Sequence, residues 1–155
     1  YSRWPGYDSL AVHPDDPKVY LSGAGALLDV PPDVTAVVSL CRVGREQVPA
    51  RLRGMHVEFR LLDTTAADNP NLEYVIDDAA RTILRWRQDG ETVLLHCVAA
   101  HSRTPTVAAR YGALIGHPQH RALQEVCAAL PDANPNPHLV TALNRLAANA
   151  PKRER

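Results

Sequence analysis

Apolar positions along this 155-residue chain fall into two periods, and the change of period predicts the order of elements. Val19 to Ser22 reads as a short strand. Thr35 to Cys41 (TAVVSLC) is a β-branched and nearly continuous apolar run, as expected of a strand covered on both faces. From Met55 to Leu62, His56, Glu58 and Arg60 alternate with Val57, Phe59 and Leu61, which predicts a strand with one wetter face or a place near a sheet edge. Val93-Leu94-Leu95 predicts a central strand ending at His96. Helical spacing takes over from about Asn71 to Arg87, where Leu72, Val75, Ile76, Ala79, Ala80, Ile83, Leu84 and Trp86 form one stripe, stopped by Asp89-Gly90. Further helices are predicted from about Thr104 to Ile115, Gln119 to Leu130 and Pro137 to Ala148.

Breakers fill the gaps. Pro5, Gly6, Pro14, Pro17, Gly23, Gly25, Pro31 and Pro32 leave room only for short elements at the start of the chain. Asp63 to Pro70 (DTTAADNP) is small, polar and closed by proline, hence a loop. Strands alternating with helices predict an α/β fold: a three-layer sandwich with a central, mostly parallel sheet flanked by helices. Residues 1–155 are expected to form a single domain.

Composition narrows the partners. Hydrophobic residues make up 45% and charged residues 22%, and Lys plus Arg equals Asp plus Glu at 17 each. No net field draws the chain to nucleic acid or to a membrane surface, so an anionic substrate must be held by local charge. Three irregularly spaced cysteines do not form the framework of a small secreted domain, and a reducing, cytoplasmic setting is expected. No apolar run reaches the roughly 20 residues that span a bilayer. His117 and His120 lack the Cys or carboxylate partners of a metal set, so no metal and no cofactor are implied.

The chemistry concentrates in His96-Cys97-Val98-Ala99-Ala100-His101-Ser102-Arg103-Thr104, between a predicted strand and a predicted helix. A loop feeding a helix N-terminus presents backbone N–H groups and the positive end of the helix dipole, an anion cradle suited to phosphate. That field also favours a thiolate at Cys97. Arg103, five residues further on, can curl back and grip the same anion bidentately.

Cys-x5-Arg preceded by His and followed by Ser or Thr resembles the signature of the protein tyrosine phosphatase superfamily, in its small (atypical) dual-specificity branch. Val19-Tyr20-Leu21-Ser22-Gly23 is similar to that family's early strand, TAVVSLC to its second strand, and Asn134-Pro135-Asn136-Pro137 to the segment opening its last helix. The resemblance runs from about residue 10 to residue 148. It implies a cysteine-dependent phosphomonoester hydrolase working through a phosphocysteine. Cys97 attacks phosphorus; Arg103 and the loop from Val98, Ala99, Ala100, His101 and Ser102 bind the phosphoryl oxygens. Thr104 hydrogen-bonds the sulfur, and His96 orients the loop. An aspartic acid upstream protonates the leaving group: Asp63, at the end of a predicted strand, is favoured, and Asp68 is the alternative. Many relatives carry Gly where this chain has Ala100, which bears on loop geometry and rate.

Other residues read more plainly. Cys41 matches the place where the lipid phosphatase related to tensin keeps a cysteine that pairs with the nucleophile, which makes it a candidate redox partner of Cys97; a small core residue is the commoner use of such a cysteine. Cys127 falls among apolar helix positions. Arg42, Arg45, Arg51 and Arg53 form a basic stretch near the expected site. The expected substrates are phosphotyrosine and phosphoserine or phosphothreonine of proteins, or another small phosphomonoester. The alternatives are RNA ends, nucleotides or phosphoinositides, and a phosphate-binding pseudophosphatase.

Overall fold

Five strands form one mixed sheet in the computed structural model, which describes residues 4–149 and leaves out the side chains of Ala66, Ala148 and Asn149. They are β1 (Leu10–His13), β2 (Asp16–Ser22), β3 (Ala36–Ser39), β4 (His56–Glu58) and β5 (Val93–His96), ordered β1-β2-β5-β3-β4. β1 runs antiparallel to β2, and the other pairings are parallel. Every residue of β5 and of β3 is buried, which explains their unbroken apolar runs and places them inside the sheet. The half-exposed β4 takes the edge.

Four helices follow: α1 (Leu72–Gln88), α2 (Arg103–Leu114), α3 (Gln119–Ala129) and α4 (Pro137–Asn149). They lie on one face of the sheet, where Val19, Leu21, Val38 and Leu95 meet Ile76, Ile83, Val107, Val126, Leu139 and Leu143. Val37 and Leu94 point the other way, onto Leu27, Val34, Val48 and Leu52. That third layer is built from 3-10 turns at Ala24–Leu28, Arg45–Gln47 and Ala50–Met55 rather than from α-helices, because Pro31, Pro32 and Pro49 leave no uninterrupted stretch for one. Each fully buried Leu or Ile contributes about 1.5–3 kcal/mol.

Expected strands change at their ends, and the first helix does not. β4 pairs only over His56–Glu58 and not to Leu62, since β3 stops at Ser39 and offers its last carbonyl to the amide of Phe59. The hairpin of β1 and β2 spans a stretch that the prolines mark as broken. Pro14 stands in its turn, and Pro17 is tolerated beside an irregular register at Val12 and His13. α1 ends as expected, with Gly90 at φ +85° and the Glu91 amide donating to the Trp86 carbonyl.

Polar ties lock the helical layer. Arg110, 6% exposed, donates from Nε to Asp77 (2.8 Å) and from Nη1 to Gln119 (3.1 Å), and Gln119 donates to the Leu143 carbonyl (2.6 Å). The carboxyl ends of β2, β5 and β3 meet in one row, Ser22, His96 and Ser39, all fully buried. In an open parallel sheet, ligands bind at this end of the strands.

Candidate active site

The chain leaves the sheet at Cys97, whose amide donates to the Ser22 carbonyl (3.3 Å); one residue later the Val98 carbonyl accepts from Ala24 (2.8 Å). From there it curls into α2, which opens at Arg103. Ala99, Ala100 and Ser102 are buried. Even so, among the described residues the amides of Val98, Ala99, Ala100, His101 and Ser102 donate to no protein carbonyl or side chain. Buried backbone donors ordinarily find acceptors. Five in succession beside a helix N-terminus make a nest for an oxyanion.

The side chains around the nest are fixed. The Thr104 hydroxyl donates to Cys97 Sγ at 3.0 Å, and both residues are buried. Arg103 donates from Nη1 to the carbonyls of Leu40 (3.2 Å) and Leu61 (3.1 Å), at the ends of β3 and of the segment after β4. Its Nε–Nη2 edge has no protein acceptor among the described residues, and it is the edge that grips an oxyanion bidentately. The guanidinium also borders a cavity of about 540 Å3 lined by Cys41, Phe59, Leu61, Asp68 and Val75.

His96 supports the loop from behind. Its Nδ1 lies 3.0 Å from the Cys97 carbonyl, which can only accept, so Nδ1 carries the proton and Nε2 is the acceptor. Ser39 Oγ, 2.6 Å away, therefore donates to Nε2 and in turn accepts from His56 Nε2 at 2.8 Å. Burial drives the His96 pKa down to about 4, so the ring is neutral at physiological pH.

The acid loop is closed at its base by Asn69, 5% exposed. Its amide accepts from Leu62 N (2.7 Å) and donates to the carbonyls of Leu62 (2.9 Å) and Thr65 (3.1 Å). Asn136 ties this loop to the nest, donating from its backbone to Ser102 Oγ (2.7 Å) and from its side chain to the Thr64 carbonyl (3.0 Å). Asp63, next to Thr64, is exposed and has no side-chain partner among the described residues. Asp68 accepts from Thr65 (3.3 Å) and lines the cavity beside Arg103.

No protein-family model and no curated protein sequence matches the chain. Solved structures do. Human DUSP28 superposes with a TM-score of 0.75 at 22% identity, covering 91% of this chain and 94% of its own. Tk-PTP in its active form gives a TM-score of 0.69 at 26% identity over 90% of this chain and 97% of that one. DUSP15 gives 0.68 at 20% identity over 88% and 86%. The chain has the small dual-specificity phosphatase fold.

Within that fold, the residues singled out from the sequence divide into two groups. Cys97, Arg103, Thr104 and His96 converge on the nest, together with the amides from Val98 to Ser102. His101 contributes its amide only: its Nε2 donates to the Pro5 carbonyl (2.6 Å), so the ring is held by the N-terminal turn and not presented to a leaving group. Arg51 and Arg53 donate to the carbonyls of Val34 and Pro31 and of Arg45 and Val48, so half of the basic stretch is structural; Arg42 borders the cavity. Cys41 and Cys97 are both free thiols. Cys41 is 7% exposed, lies 3.9 Å from His96 Nδ1, and has its pKa pushed up by burial to about 11. The roles of Ser39, His56 and Asn69 escape a reading of the sequence. Ser39 hides in an apolar run, and Asn69 before Pro70 looks like any loop residue.

Proposed function

We propose that this chain is a cysteine-dependent phosphomonoester hydrolase, acting on phosphotyrosine and phosphoserine or phosphothreonine of proteins, in the cytoplasm. The observation that carries the reading is the run of five amides from Val98 to Ser102 that have no acceptor among the described residues, next to the buried Cys97 with the Thr104 hydroxyl aimed at its sulfur. Both features favour negative charge on a phosphoryl group bound there and on the sulfur as it leaves phosphorus.

In the first step the Cys97 sulfur attacks phosphorus, the ester oxygen departs with its electron pair, and Asp63 supplies that oxygen with a proton. The amides and the Nε–Nη2 edge of Arg103 share the charge on the three equatorial oxygens. In the second step water attacks phosphorus, its proton passes to the same aspartate, and the sulfur leaves as a thiolate stabilised by Thr104. Assigning the acid to Asp63 is supported by its unpaired carboxyl and by the Thr64–Asn136–Ser102 link between its loop and the nest. Asp68, engaged by Thr65, is the alternative. Neutralisation by amides and guanidinium calls for no metal and no cofactor.

Hydrolysis of a generic aryl phosphate, and then of phosphotyrosyl and phosphoseryl peptides, tests the reading. Turnover is expected in wild type and absent in Cys97→Ser. Full activity in Cys97→Ser overturns the mechanism. Phosphopeptide binding without turnover in wild type replaces the enzyme by a pseudophosphatase. Turnover confined to RNA ends, nucleotides or phosphoinositides keeps the chemistry and changes the substrate.

A further inference from the structure

Ala100, in the middle of the nest and 1% exposed, adopts φ 55°, in the left-handed region. A β-carbon disfavours that backbone, and strained conformations persist only where the surroundings over-determine them. The surroundings are unusual here. The residues on either side of Ala100 both meet the N-terminal turn, from more than ninety positions away in sequence. A β-carbon at Gly6 would overlap the Ala99 carbonyl oxygen, so the backbone of Gly6 lies directly against Ala99. On the other side, His101 Nε2 donates to the Pro5 carbonyl at 2.6 Å.

The turn is itself anchored. Tyr7 N donates to the Trp4 carbonyl (3.1 Å), Ser9 N to Gly6 (3.0 Å), Gly23 N to Ser9 (3.1 Å) and Gly25 N to Tyr7 (2.9 Å). Gly6 stands at φ +84°, which lets the turn approach so closely. Gly23, after β2, has no room for a β-carbon between the Gly6 and Tyr7 carbonyls. Ala24, next to Gly23, donates to Val98 in the nest (2.8 Å). The N-terminal turn, the end of β2 and the nest are thus packed backbone to backbone.

We propose that the Pro5-Gly6 turn is a brace that holds the nest in the strained form in which its amides converge, and that Gly6 and His101 are positioning residues for phosphoryl binding. The proposal rests on reading the nest as a phosphoryl cradle. Without the brace, the backbone at Ala100 relaxes toward negative φ and the converged form becomes a minor population. Apparent affinity for a phosphoryl group falls by the same fraction. The strain at one left-handed alanine corresponds to a fall of about five- to thirtyfold.

A double-substitution cycle tests this. Gly6→Ala is measured in wild type and in an Ala100→Gly background, with Gly90→Ala as the control. Gly90 shares the left-handed backbone, φ +85°, but a β-carbon there meets nothing within 4 Å. The readouts are kcat/KM on an aryl phosphate, the dissociation constant of inorganic phosphate by titration calorimetry, and the urea midpoint. Gly6→Ala is expected to weaken phosphate binding and kcat/KM about five- to thirtyfold, and by no more than about twofold once Ala100→Gly has removed the strain. Gly90→Ala should lower the urea midpoint alone. His101→Phe, which removes the bond to Pro5 but keeps a ring, should repeat the Gly6→Ala pattern and stands in for it if that variant does not fold. Equal losses with and without Ala100→Gly, or losses no greater than those of Gly90→Ala, overturn the brace. Phosphate binding without aryl phosphate turnover in wild type overturns the hydrolase reading and leaves the brace to be decided by the binding cycle. Absence of phosphate binding in wild type overturns both.

Discussion

The Thr104 hydroxyl donates to Cys97 Sγ across 3.0 Å, from the first turn of α2 back to the residue at which the chain leaves β5. A donor to sulfur matters most when sulfur carries charge, as it does on leaving phosphorus. Thr104→Ala is therefore expected to slow hydrolysis of the phosphocysteine more than its formation. Loss of a hydrogen bond to a charged group lowers kcat by about 10- to 100-fold. Rapid-quench measurements should then show a burst of released phenol, and Thr104→Ser should abolish the burst. Loss of kcat in Thr104→Ala with no burst would place the effect in the first step and remove this role.

The two carboxylates of the acid loop separate by their surroundings. Asp63→Asn is expected to lower kcat by about 10²- to 10⁴-fold on an alkyl phosphate, whose leaving group needs a proton, and by much less on an activated aryl ester. Asp68→Asn should leave both rates within about twofold of wild type, as it alters only a weak bond from Thr65. If Asp68→Asn alone loses the alkyl phosphate, the acid is the carboxylate bordering the 540 Å3 cavity.

Stability should fall with acid through His96. Folding lowers its pKa from 6.5 to about 4, mainly through burial. Between those values the unfolded chain binds the proton and the folded chain does not, so unfolding takes up protons and the contribution of His96 shrinks as pH falls from 6.5, levelling off below about 4. The change is of order 3 kcal/mol. His13 and His56, also lowered by burial, act in the same direction. Urea midpoints between pH 7 and pH 4 should show a steep decline in wild type and a shallower one in His96→Gln. Parallel declines would assign the acid sensitivity to the other two histidines or to carboxylates.

The helices and the buried strands β3 and β5 were legible because their apolar patterns are uninterrupted: α1, α2, α3 and α4 lie within about two residues of where the spacing puts them, whereas β1 lies in a stretch broken by Pro14 and Pro17 and was not. The nest was legible because Cys97, Arg103 and Thr104 are neighbours in the chain. What stayed hidden depends on approach between distant backbones. Gly6 looks like one more breaker in a Pro- and Gly-rich start until the fold lays it on Ala99. His101 looks available until Pro5 claims it. Ser39 and His56 join His96 only through strand register, which no local pattern encodes. The elements of the third layer went unread for a related reason, since short 3-10 turns leave no periodic trace.

Cys41 tests whether proximity to the nest amounts to redox protection. Peroxide would transfer one oxygen to the Cys97 sulfur, giving a sulfenic acid and water, and the Cys41 thiolate would then displace hydroxide from it to form the disulfide. The attacking form is the thiolate, and burial has pushed the Cys41 pKa to about 11. Near neutrality that form is scarce, so bridging should be slow and further oxidation of Cys97 to the sulfinic acid should compete with it. The ratio of bridged to sulfinic product, read by mass mapping after peroxide, is therefore expected to be low at pH 7 and to rise by roughly tenfold per pH unit toward pH 10. Cys41→Ser should then change the rate of irreversible inactivation little at pH 7 and strongly at pH 10. A bridge that forms rapidly and completely at pH 7 would show that the loop rearranges to expose Cys41 once Cys97 is oxidised, and would turn a packing residue into a guard for the nucleophile.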